Sequence, residues 1–237
     1  NQGALEFGST ALGTGPVRVL DSSTVRWAAG NTSDIASTLV VSDAVGLVLD
    51  TNGNNVLMAS AIGMSGTGTF SVTKDGVGAL TLQGANTFSG GLAVRAGAVR
   101  IADVAGLGSG VVSLEGGALS GSDAGTARVI PNDLALIESS TLGSATLGAK
   151  LTFDGTVTMN AAKTLTVLSE VEMTGSVTGT GASIKSGAGK LTFSGSVSFG
   201  SLRVQQGTVE IGNGGTSGDL TGPVRVDGGL VFNRSDA

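Results

Sequence analysis

Cysteine, histidine and tyrosine are all missing from the 237 residues, and there are only one tryptophan, seven phenylalanines and three prolines. Without cysteine there can be no disulfide staples. Without histidine as well, the usual zinc and copper ligands and the commonest general base are gone. The redox compartment stays open on this count. An aromatic content of 3% leaves an ordinary globular core short of large space-filling side chains. No apolar run approaches the 18 or so residues that would suggest a membrane-spanning helix. The 13 basic residues are scattered singly within a net charge of −5, so there is no electrostatic footprint for nucleic acid or anionic lipid. No charged segment followed by an apolar one opens the chain as a signal peptide would. Asn1 is not a natural start, and the chain reads as an interior piece of something longer.

What is abundant is glycine, with 41 residues, beside a hydrophobic content of 40%. That much apolar material is too rich for a disordered Gly/Ser linker, which cannot bury enough to offset chain entropy. A fold that buries small and β-branched side chains in narrow layers suits these figures. The sequence also repeats. Gly3–Phe7 (GALEF), Gly97–Ile101 (GAVRI) and Gly207–Ile211 (GTVEI) align, each followed by a glycine-rich turn and a second apolar run. Upstream of the last two, Gly76–Ile101 matches Gly187–Ile211 with one residue deleted. The internal repeats span about 76–121 and 187–234, with a partial copy over 3–27. Within each copy the apolar period is two: Leu80/Leu82, Leu92/Val94 and Val99/Ile101 recur as Leu191/Phe193, Leu202/Val204 and Val209/Ile211. Such runs, bounded by Gly, Asn and Ser, mark half-buried strands with Val94 inward and Arg95 outward. The best helical candidate, Ser33–Val45, contains Leu39-Val40-Val41, which reads equally well as strand.

The chain is therefore expected to be all-β. A sandwich, a closed barrel and a solenoid all satisfy short strands and many turns. Internal repetition and the scarcity of large aromatics favour the solenoid, in which each coil contacts only its neighbours. Coils of about 20 to 25 residues would give roughly ten rungs in a single continuous β-helix over 1–237.

The run Leu80–Gly121 resembles the passenger-associated transport repeat, the β-strand motif of large Gram-negative autotransporters. Gly76, Gly78, Leu80, Leu82, Gly84, Asn86, Phe88 and Gly90 match its first part, and Gly97, Leu107, Gly108, Gly110, Gly116 and Gly117 match the rest. In the second copy Gly187, Gly189, Leu191, Phe193 and Gly195 are retained, while Ser196 and Ser198 stand where the motif has Asn and an aromatic. The resemblance implies a right-handed, single-stranded, three-sided parallel β-helix, exported through an outer membrane and displayed at the cell surface. It would make sense of the missing cysteine, because a disulfide formed in the periplasm would hinder threading through a pore. The implied partners are the rest of the same polypeptide and a host or bacterial surface ligand, with no nucleic acid and no membrane insertion by this segment. The C-terminal translocator barrel of such proteins has no counterpart here, since a barrel needs girdles of aromatic residues.

No catalytic residue, cofactor or metal is expected. The best carboxylate pair is Glu170 and Glu172, on one side of a strand, with only Lys163 and Lys185 expected as basic partners. It reads as a solvated outer face rather than as the acid/base pair of a glycosidase. Asn52-Gly53-Asn54-Asn55 reads as a structural turn, because Asn and Gly tolerate left-handed backbone. Gly212–Asp219 is a near miss to a calcium-binding glycine-aspartate repeat and does not recur. Trp27 shares the face of Val25 and is expected in the core, while Arg18 and Arg225 point outward between valines. The second copy is longer than the first by about five residues within each of two segments. Glu138–Ala145 and Thr156–Lys163 are thus expected to bulge as long turns, because solenoid insertions map to loops. A structural stalk or spacer ranks first, a ligand-binding adhesin module second, and a polysaccharide-degrading β-helix last.

Overall fold

The alternating runs fold as strands of three to five residues separated by glycine-rich turns. The computed structural model describes residues 3–9, 11–159 and 162–236. Among these, helix is confined to two 3-10 turns, Ala36–Thr38 and Val104–Leu107, and no helix is long and apolar enough to cross a membrane. Ser33–Val45 resolves as the first of those turns followed by the strand Leu39–Ser42. The chain divides into two compact units, residues 1–113 and 114–237. Each unit is a three-sided β-solenoid whose strand pairings are parallel. Parallel neighbours need a crossover of a dozen or more residues, and here the remainder of the coil supplies it in place of a helix.

In the first unit one face stacks Ala4–Phe7, Ser23–Trp27, Gly46–Asp50, Ser71–Asp75 and Leu92–Val94. A second stacks Val17–Val19, Leu39–Ser42 and Gly63–Ser65, and a third Val56–Met58, Ala79–Leu82 and Ala98–Ile101. In the second unit the faces are built in the same way, one running from Ala118–Gly121 to Val224–Val226 and another from Arg128–Ile130 to Gly229–Phe232. Paired residues lie between 18 positions apart (Lys190 with Thr208) and 25 (Gly46 with Ser71), a slightly wider range than the sequence led us to expect.

Parallel pairing in register places like over like. Ile130, Phe153, Met173, Phe193 and Ile211 form one inward column, and Val56, Leu80 and Val99 another. All eight are buried. Neighbouring strands are only about 4.8 Å apart, so a column accepts one side chain per coil and favours flat or branched ones over bulky rings. Trp27 is buried as expected, its ring 5.3 Å from that of Phe7 and its Nε1 donating to the carbonyl of Ser33 at 3.0 Å.

The outward residues of Leu134–Leu136, Val157–Met159, Val177–Gly179 and Ser196–Ser198 are small or hydroxylic: Ala135, Thr158, Thr178 and Ser198 follow one another in register. The expected bulges are not formed. Ser140–Leu142 is a regular strand paired with both Ala118–Gly121 and Thr164–Val167, and Val157–Met159 lies in the middle of its face. A strand whose Leu142 or Val157 fills the core cannot leave the ladder, so the extra length goes into turns such as 143–150. Residues 160 and 161 lie outside the described set.

Two outcomes test these assignments. Val157→Asp, which buries an unpaired charge, is expected to cost about 4 kcal/mol or more in urea melts, against less than about 0.5 kcal/mol for Thr158→Asp. Ser183 Oγ is the one buried side-chain oxygen among the described residues that lacks a hydrogen-bond partner. Ser183→Ala should therefore raise stability, by about 1 kcal/mol, because it removes an unsatisfied group.

Candidate functional site

Glu170, Glu172 and Glu210 gather on the outer face built by the strands Leu151–Phe153, Val171–Met173, Lys190–Phe193 and Thr208–Ile211. Inward Val171 and Met173 turn the residues between and before them outward, so Glu170 and Glu172 do share a side. Their basic partners are not Lys163 and Lys185. Lys163 reaches Glu138 at 2.7 Å, and Lys185 is buried. Coil stacking instead brings up residues about 20 positions away. Lys150 lies 2.7 Å from Glu172, and Lys190 lies 3.5 Å from Glu170 and 2.9 Å from Glu210.

Glu172 is not solvated; only 6% of it is exposed. Ser194 Oγ donates to its Oε1 at 2.8 Å. The turn after Ile211 folds back over this face, so that Asn213 Nδ2 donates to the same oxygen at 2.9 Å. Two coils further on, Lys190 and Asn233 hold Glu210, the amide donating at 2.6 Å. Lysine, glutamate and asparagine thus form two similar clamps, Lys150–Glu172–Asn213 and Lys190–Glu210–Asn233. Burial alone would raise the Glu172 pKa, but the hydrogen bonds from Lys150, Ser194 and Asn213 outweigh it and hold the carboxyl below the ordinary range. Glu210 is held low by Lys190 and Asn233, and Lys190 is raised in turn by Glu210. Glycoside hydrolysis needs a carboxylic acid kept protonated, and these two are pushed the other way.

The other sequence candidates resolve as structure. Asn54 is buried, its amide donating to the carbonyls of Ala28 and Thr51, and Asn52 adopts a positive φ of 48° in the turn. Asn86 ties three successive coils together, accepting from Ile62 N at 2.8 Å and donating to Gly106 O at 2.7 Å. In the second copy that asparagine turn is replaced by the strand Ser196–Ser198, but the aromatic is kept, since Phe199 stands four residues after Gly195 as Phe88 does after Gly84. Phe199 is buried with its ring 5.9 Å from that of Phe193. In the Gly212–Asp219 turn, Asn213 is committed to Glu172 and Asp219 pairs with Arg234. No group of three or more metal-capable side chains exists among the described residues. Arg18 and Arg225 are exposed, and Arg225 shares Asp227 with Arg203.

The burial of two lysines escaped the sequence reading. Lys74 and Lys185 are fully buried, at 0% and 1% exposure. Lys74 Nζ donates to the carbonyls of Asp75, Gly76 and Ala96 at 2.7, 2.6 and 3.1 Å. Lys185 Nζ donates to those of Gly187 and Gln206 at 2.6 and 2.8 Å, and also to that of Gly189. The signal was present as Lys-x-Gly-x-Gly in both copies, but a repeat boundary drawn at Gly76 and Gly187 leaves the lysine outside.

Comparison with known proteins agrees with this arrangement. The passenger-associated-transport-repeat family matches the chain over residues 72–101 and 184–211, so both lysines fall inside the matched stretches. The chain is autotransporter-passenger sequence carrying two of these repeats. It is similar in particular to the adhesin BmaC autotransporter of Brucella suis biovar 1 (strain 1330), with 37% identity over 172 residues. That alignment takes in 71% of this chain and 4% of the relative, so the chain spans a small part of the protein it matches. No solved structure matches it.

The charged face makes a prediction about acid. A carboxylate held low contributes stability that is present above its unfolded pKa of about 4.3 and lost as pH falls through the folded value. Urea midpoints should therefore drop on acidification below about pH 4.3, and the drop should be smaller in Glu172→Gln than in the wild type.

Proposed function

We propose that this segment is a stalk or spacer in a surface-displayed autotransporter passenger, holding binding regions of the longer polypeptide away from the outer membrane and helping the passenger fold once exported. The observation that carries this reading is that the polar groups with chemical potential are already used within the fold. Glu172 and Glu210 are clamped by lysine and asparagine, Lys74 and Lys185 are spent on backbone carbonyls, and the Asn52–Asn55 turn is bonded into adjacent coils. A stalk needs nothing more than coils that satisfy one another, whereas catalysis needs reactive groups held apart from their partners. Catalysis is not part of this proposal.

The second reading is an adhesin module in which a solenoid flank contacts a surface glycan or protein. The name of the Brucella relative favours it. Replacing this segment, within its full-length protein, by an unrelated β-solenoid of equal coil number separates the two. A spacer predicts unchanged surface display and unchanged cell adhesion. Adhesion lost while display is retained would transfer the binding function to this segment. The isolated segment is also expected to release no product from a panel of polysaccharides. Turnover that disappears in Glu170→Gln would overturn the non-catalytic reading.

A further inference from the structure

The two buried lysines put a charge where the alternation of apolar and polar residues calls for an apolar side chain. Each stands in an inward column where the coil on either side contributes an aliphatic side chain: Leu49–Lys74–Val94 in the first unit and Leu165–Lys185–Val204 in the second. A charged group in such a column is costly unless every donor is paired.

An ammonium carries three donors, and each lysine meets three carbonyls. Two come from the end of its own strand and the turn that follows: Asp75 and Gly76, or Gly187 and Gly189. The third comes from the corresponding turn of the next coil, Ala96 or Gln206. The residue after that third carbonyl is glycine in both copies, with a φ of +65° at Gly97 and +66° at Gly207, and a Cβ at either position would run into the lysine amine. Burial pushes both lysines down to about 8, so the amine is still charged, with all three donors, at neutral pH. The same Lys-x-Gly-x-Gly and later Gly set thus occurs twice in one chain, each time within a stretch matched by the repeat family, and each time the ammonium is held by the glycine carbonyl two residues on and by a carbonyl of the next coil.

We propose that the lysine of each repeat is a lock between two consecutive coils, which makes the two repeats the segments of the solenoid that open last. In a solenoid the contacts are only between neighbours, and local opening is the ordinary mode of failure. Opening either coil of a locked pair removes part of the acceptor set and leaves a buried ammonium unpaired, so the pair opens together or not at all. This holds whether the segment is a spacer or an adhesin module.

Native-state hydrogen exchange on the whole chain tests the lock. In the wild type, the amides of Arg95 and Ala98 in one repeat, and of Gly189 and Gln205 in the other, sit beside the locks and bond to the neighbouring coil. They are expected to exchange at least about 10-fold more slowly than Leu134 and Leu151, which bond across lock-free coils. Equal or greater protection at Leu134 and Leu151 would sink the proposal. Lys185→Met keeps the bulk and removes the ammonium. It should lose about 30-fold or more protection at Gly189 and Gln205 together while Arg95 and Ala98 keep theirs. If the variant keeps or gains protection, the ammonium is only a tolerated buried charge and there is no lock. Should Lys185→Met fail to fold, the wild-type comparison and the same substitution at Lys74 decide the matter.

Discussion

Everything in this chain depends on the parallel backbone ladder between one coil and the next. Once Val157 pairs with Val177 and Val177 with Val197, the spacing of strands dictates what may stand above what, and every inward position becomes part of a column. Columns reward side chains that stack on copies of themselves, which is why Val, Leu and Ile carry the core and only eight aromatic residues are present in the whole chain. They also explain where charge is tolerated. On the outer face, partners come from the adjacent coil, as Lys150 comes to Glu172. Inside, Lys74 and Lys185 turn instead to the backbone carbonyls of the turns.

The fold was legible in the sequence because its main signal is local. Alternation at Leu80/Leu82 and Val209/Ile211 needs no knowledge of the coil path, and each of these four is buried. The identity of side-chain partners was not legible to the same degree. Glu172 is paired with a lysine 22 positions before it and an asparagine 41 positions after it. Those separations follow from the coil length, which varies from turn to turn, so the partner could not be chosen by proximity in sequence. The same variation explains the failure over Glu138–Ala145. Counting residues located the extra length, but only the core position of Leu142 decides that the strand stays in place and the turn absorbs the difference.

A shorter period was also present and went unread. Phe153-Asp154-Gly155, Met173-Thr174-Gly175 and Phe193-Ser194-Gly195 recur every 20 residues, one per coil, beneath the longer repeat of about a hundred residues. Each glycine packs against the backbone of the preceding coil's turn: Gly175 against Gly155, and Gly195 against Gly175. The longer repeat carries the more varied motif, while the shorter one is made of interchangeable residues.

That interchangeability bears on how a gene of this kind can change in length. A deletion of the 20 codons from Asp154 to Met173 would join Phe153 directly to Thr174. Phe153 would then occupy the place of Met173 in its column, with Phe193 as its next neighbour. The product would be one coil shorter, by about 4.8 Å, with its remaining layers still in step. Loss or gain of such a block would adjust the reach of the protein in whole rungs, with every remaining column still filled.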